Sequence, residues 1–167
     1  MALQLQSAAL IGFAALMLIA AFEDLRRLII PNPLTLSICV LWPLYVAATP
    51  SALIIGGSVA CGLAVFIVGA LGFSRGYLGG GDVKLLAAAA LWAGPGGIAP
   101  LLVLTGVLGG MLALFLLLPP GAYVTALARA KLGADDVPAK FGSGTPVPYG
   151  IAIAAAAILV IFVPHFR

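Results

Sequence analysis

Apolar residues run along this chain in long stretches, and the polar residues gather at the joins between them. A helix that crosses a bilayer takes about 20 consecutive, mostly apolar residues. On that ruler the pattern predicts spans over 3–22, 34–48, 52–73, 98–118 and 147–163. A further apolar run, 83–93, is too short to cross alone, so it is expected to tilt, to start within the preceding loop or to be partly re-entrant. Pro31, Pro33, Pro50, Pro95, Pro119 and Pro120 fall at the joins, where a missing backbone donor is tolerated. The expected fold is all-α: a polytopic membrane helix bundle of about six transmembrane helices.

Composition fixes the solvent. Of 167 residues, 63% are hydrophobic and 8% charged, whereas a soluble domain is roughly half apolar and a quarter charged. The chain reads as an integral membrane protein with the lipid bilayer as a partner. One domain over 1–167 is expected, with 121–146 as a cytoplasmic loop within it. The run 3–22 has no basic segment before it and no clear small-residue cleavage site, so it reads as a retained helix, not a removed signal peptide.

Charge sets the orientation. With six spans the loops alternate between two sides, and Arg26, Arg27, Arg75, Lys84, Arg129, Lys131 and Lys140 all fall on one, against Arg167 on the other. The positive-inside rule makes the basic side cytoplasmic and puts both termini outside. A net charge of +3 distributed in this way speaks to orientation, not to nucleic acid. Within the loop, 122–132 suits a short interfacial helix carrying Arg129 and Lys131, and Gly142 to Thr145 reads as flexible. Cys39 and Cys61 sit in apolar runs without a C-x-x-C pair, and the single histidine, His165, is near the C-terminus. They read as small buried hydrophobes, and no metal, disulfide or cofactor is expected.

Five acidic residues remain as candidates for chemistry. A carboxylate at membrane depth is costly, which makes it a functional candidate whose partner is worth finding. Asp82 follows three glycines in Gly79-Gly80-Gly81-Asp82-Val83-Lys84, and Asp24 follows the first span, at matching depth on the same face. Two aspartates that meet in a poorly solvated site share a proton: the charged member takes a proton from water while the protonated member polarises a scissile carbonyl. The pair titrates as a unit, and which member holds the proton stays open. This is the chemistry of an aspartic peptidase. Glycines 79–81, without Cβ atoms, let a substrate backbone approach closely.

Other readings of the same residues stand beside this one. Taken alone, the glycine stretch is a turn with Asp82 as the N-cap of the next helix, and the phosphate-loop spacing is absent. A small ion- or proton-coupled transporter also uses intramembrane aspartates, although spans two, three, five and six carry no carboxylate to extend a relay. An inactive assembly scaffold is a third reading. Glu23 lies one helical step, about 100°, from Asp24 and is expected to support the site or the interface. Asp135 and Asp136 share a polar loop with Lys131 and Lys140 and read as solvated. For Lys84, tuning of a carboxylate, contact with substrate or lipid, and snorkelling to headgroups are all open. Trp42, Tyr45 and Trp92 are expected as interfacial anchors, and Gly56, Gly57, Gly62, Gly106, Gly109 and Gly110 as points of close helix packing.

Three stretches carry a family resemblance. Asp24-Leu25-Arg26-Arg27-Leu28-Ile29-Ile30-Pro31-Asn32 resembles the first aspartate motif of type IV prepilin peptidases, an aspartate followed by a basic stretch and Ile-Pro-Asn. Gly79 to Lys84 is similar to the second, G-x-G-D with a following lysine, and Val147-Pro148-Tyr149-Gly150 to the Pro-Tyr/Phe-Gly element that opens the family's last span. The three occur in the family's order along essentially the whole chain. The resemblance implies a GxGD-type intramembrane aspartic endopeptidase of a bacterial or archaeal cytoplasmic membrane. Its substrates would be prepilins and pseudopilins, with a basic leader ahead of a hydrophobic helix. By motif position Asp24 and Asp82 would be catalytic, with Gly79, Gly80, Gly81, Lys84, Pro31, Asn32, Pro148, Tyr149 and Gly150 shaping the site. Longer members carry an N-terminal region with paired cysteines and methylate the new N-terminus with S-adenosylmethionine. This chain resembles the short class of Flp/Tad-type pili, for which cleavage without methylation is expected.

Overall fold

The computed structural model describes residues 2–47, 52–131 and 147–163. Among these the chain forms α1 (Ala2–Arg27), α2 (Asn32–Val46), α3 (Ala52–Ser74), α4 (Gly80–Leu117), α5 (Pro119–Lys131) and α6 (Tyr149–Phe162). Three stretches, Gln4–Arg27, Ile55–Ser74 and Gly80–Leu117, are long and apolar enough to cross a bilayer, and α2 and α6 are shorter apolar helices. Helices satisfy their own backbone groups, which is the condition for leaving water in lipid. The protein is an all-helical membrane bundle.

Hydropathy ended the first span at 22, where the charges begin, but α1 continues through Glu23, Asp24 and both arginines. Its last turn is compatible with those charges. Glu23 Oε2 pairs with Arg27 Nε at 3.4 Å, and the two arginines lie at the negative end of the helix dipole. The helix stops only where Leu28 turns to φ 55°.

A larger correction concerns 83–93 and 98–118. These are not separate helices joined by a loop but the two arms of α4, which breaks from helical geometry at Gly94 (φ 61°, ψ −170°). That region of backbone space is essentially restricted to glycine. Along the first arm, Val83 and Leu91 pack at Gly69 and Gly62 of α3, and Pro95, just past the break, packs at Gly57. Along the second, Gly97 meets Val160 near the end of α6, and Gly109 meets Tyr149 at its beginning. The first arm therefore runs away from the Asp82 end of the bundle and the second returns to it. With the arms counted singly, the described residues make six passes through the bundle, and the short run 83–93 is covered on its way by α1, α2 and α3.

The core lies where those passes meet. Phe13, Met17, Ile38, Leu85, Leu101, Ile153 and Val160 are fully buried. Trp92 and Trp42 belong with them and are not interfacial anchors. The Trp92 ring lies 4.5 Å from that of Phe13 and 5.1 Å from that of Tyr45, and its Nε1–H donates to the Ile38 carbonyl at 2.9 Å. A buried indole needs such an acceptor, and the first arm of α4 carries it into the interior instead of to a headgroup. Ala152, Ala154, Ala156 and Ala157 line α6 and are buried, so the helix lies close to its neighbours. Gly57, Gly62 and Gly109 serve the close packing expected of them, whereas Gly56, Gly106 and Gly110 face open space.

At the Asp82 end the chain leaves the second arm through α5, which is longer at its start than the expected 122–132. Thr125 Oγ1 donates to the Gly121 carbonyl at 2.8 Å and ties its first turns together. Asp135, Asp136, Lys140, Gly142 to Thr145, His165, Arg167 and Pro50 lie outside the described residues. Cys39 and Cys61 are half-buried and unpaired.

Candidate active site

Asp24 occupies the last turn of α1 and is only 5% exposed. The next residues fold back at once. Leu28 donates its N–H to the Asp24 carbonyl at 2.9 Å and then takes its positive φ, a conformation that bulky side chains rarely adopt. The turn throws segment 28–31 across the start of α4, where Ile30 is buried against Gly81. A Cβ on Gly81 would stand 3.2 Å from that of Ile30, so the glycine lets the first motif rest on the second. Pro31 then caps α2 in an extended conformation, and Asn32 begins it.

Lys84 makes a second tie between the motifs. Its Nζ donates to Asn32 Oδ1 at 2.8 Å. Two positions separate Lys84 from Asp82, about 200° around a helix, so the lysine faces away from the carboxylate. On that other side it joins Asn32, Thr35, Leu36, Cys39 and Phe66 around a largely apolar groove of about 720 Å³ between α2, α3 and the first arm of α4. The role the geometry gives Lys84 is to join α2 to α4.

Asp82 is not an N-cap. Gly79 holds that position, and Asp82 lies in the first turn with its carboxylate folded back to accept the Gly79 amide. This is the reach of the third helical residue in a capping box. A Cβ on Gly79 would come within 2.6 Å of Asp82 Oδ2, which explains the need for glycine there. Gly80 turns towards Phe73 of α3.

The start of α6 supplies the third piece. Pro148 is its N-cap, fully buried, and the Gly150 N–H donates to Asp24 Oδ2 at 2.7 Å. The Tyr149 ring lies over Gly109, and its hydroxyl donates to the Thr105 carbonyl at 3.3 Å. Around Asp24 the structure thus gathers residues from all three motifs. Asp24 and Asp82 lie within electrostatic reach of each other, both close to helix N-termini whose amides favour negative charge. Glu23, by contrast, turns to Arg27. Among the described residues no cluster suits a metal ion. Two carboxyls within electrostatic reach of each other in a partly dehydrated site can hold one proton between them, and such a pair can both activate water and polarise a carbonyl.

The model of the type IV leader peptidase family matches residues 11–114, from the middle of α1 almost to the end of the second arm of α4. The chain belongs to the type IV leader peptidase family. Among curated proteins and solved structures, none matches it. The leader peptidase is accordingly a membrane-embedded peptidase with a protein substrate. Both aspartate motifs lie inside the matched stretch, and Pro148, Tyr149 and Gly150 lie beyond it.

Several residues that build the candidate site carry no polar label in the sequence. Ile30 and Gly109 act by contact across the bundle, which a linear pattern does not encode. Gly94 precedes Pro95, and a Gly-Pro pair is a legible turn signal. Its effect, a reversal within one continuous helical stretch, required the contacts with α3 and α6 to be seen.

Proposed function

We propose that this leader peptidase is an aspartic endopeptidase that removes the basic leader of Flp-like type IV prepilins at the cytoplasmic face of the membrane, with Asp24 and Asp82 as its catalytic pair. The observation that carries this reading is the approach of two rare carboxylates, from separate motifs, at one end of the bundle. The ionised member takes a proton from a water as the water oxygen attacks the scissile carbonyl carbon, and the protonated member gives its proton to the carbonyl oxygen. The tetrahedral intermediate collapses with proton transfer to the leaving nitrogen, and the C–N bond breaks. A carboxyl group is left on the leader, an amine on the mature pilin, and one proton again on the pair.

Substrate polarity agrees with the placement of charge. Arg26, Arg27 and Arg75 lie at the same end as the aspartates, the end that the positive-inside rule assigns to the cytoplasm. A basic leader stays on that side while the hydrophobic helix behind it enters the bilayer, so the junction arrives at the depth of Asp24 and Asp82. Cleavage without N-methylation belongs to the same reading, through the likeness of the motifs to those of the short Flp/Tad class. Co-expression with an Flp-type prepilin tests it: the wild-type chain should release the leader, and Asp24→Asn and Asp82→Asn should leave the prepilin intact. Normal leader removal by either variant, or ion flux through vesicles without any processing, would refute the assignment.

A further inference from the structure

The beginning of α6 has a feature that the matched stretch of the family does not reach. The first N–H groups of a helix have no acceptor within it and must find one elsewhere. Tyr149 donates to the Val147 carbonyl and Ile151 to that of Pro148. The Gly150 N–H, between them, is the one directed into the protein, and it meets Asp24 Oδ2 at 2.7 Å across 126 positions of sequence. Hydrogen bonds to a carboxylate are shorter and stronger than neutral ones, and this length fits that class.

Sterics make the position specific. A Cβ on Gly150 would lie 2.9 Å from Asp24 Oδ2, 3.0 Å from its Cβ and 3.1 Å from its Cγ, so any other residue would push the carboxylate away or lift α6 from α1. Tyr149 and Pro148 prevent the lift: the tyrosine ring is seated at Gly109 and the proline is fully buried. The geometry points to Gly150 as a positioning residue for the leader peptidase, whose backbone amide fixes one oxygen of Asp24 and so orients the other towards the reacting water. This assignment rests on the proposed role of Asp24 but makes a claim of its own about what aims the carboxylate. A misplacement of about 1 Å at a reacting group costs on the order of 100-fold in rate.

The test combines kinetics with a measurement that needs no turnover. With purified protein and a prepilin substrate, Gly150→Ala should lower kcat about ten- to a hundredfold and change KM by no more than about twofold. Ala156→Gly, lower on the same helix and remote from Asp24, should loosen α6 yet keep kcat within about twofold. In protein labelled with 15N-glycine, the Gly150 amide proton should resonate downfield, shift upfield in Asp24→Ala, and follow pH in the wild type. An unchanged kcat in Gly150→Ala, or a Gly150 resonance indifferent to Asp24→Ala, overturns the proposal. The resonance decides the matter even if Gly150→Ala fails to fold. If the contact is present but the wild type cleaves no prepilin, the functional reading fails while the contact stands.

Discussion

At the scale of single residues, the burial of Asp24 has to be offset. A carboxyl group removed from water costs several kcal/mol unless it is hydrogen-bonded, and the Gly150 amide supplies one such bond. Asp82 is treated alike by the Gly79 amide. Each aspartate therefore meets a glycine whose missing side chain is what allows the contact. The pair also carries a pH signature. With both carboxyls protonated there is no base for the water, and with both ionised there is no acid for the carbonyl, so activity should fall on both the acid and the alkaline side. A bell-shaped dependence of kcat on pH checks this, and a rate that rises to a plateau without an alkaline limb would argue against a shared proton. Lys84, two residues away, faces Asn32 on the opposite side of the helix from Asp82.

At the scale of elements, the reversal in α4 decides where the candidate site is. The first arm delivers Asp82, and the second returns to give Tyr149 its seat at Gly109. Without the break at Gly94 the 38 residues of α4 would form one rod of about 57 Å, far longer than a bilayer core of about 30 Å. Gly94→Ala introduces a side chain into backbone geometry that only glycine takes readily, and its Cβ would also lie 2.8 Å from Ser58 Oγ. It should cost about 1–3 kcal/mol, measurable as a fall in the thermal unfolding midpoint in detergent. Much of this was legible beforehand. Apolar length marked the passes, basic residues marked the shared end, and the motifs named both aspartates and Gly150. The ends of helices were less legible, because hydropathy stops at the first charge while α1 runs on to Arg27. Trp92 was misplaced for a related reason: nearness to a span end along the chain says nothing about which helices cover it. Gly109 was marked only as a packing glycine, and its partner Tyr149 lay far off in sequence.

At the scale of the whole molecule, the described helices bring α1, α3 and the second arm of α4 to the same end of the bundle, and α2, the first arm and α6 leave from it. That end carries Arg26, Arg27, Arg75, Asp24 and Asp82. If it faces the cytoplasm, Tyr77, 79% exposed in the turn after α3, is a clean reporter. In a background without Cys39 and Cys61, Tyr77→Cys should react with a membrane-impermeant maleimide only after the cells are opened. Labelling of intact cells would reverse the orientation. The central claim is that two carboxyls act as one catalytic unit, and kinetics of the purified, reconstituted protein with a prepilin substrate test it most directly. Asp24→Asn and Asp82→Asn should each lower kcat by about 1,000-fold or more, and the double variant should be no slower than the worse single, as residues that act together lose their function together. A single variant that keeps its rate, or two losses that multiply in the double variant, would contradict the account.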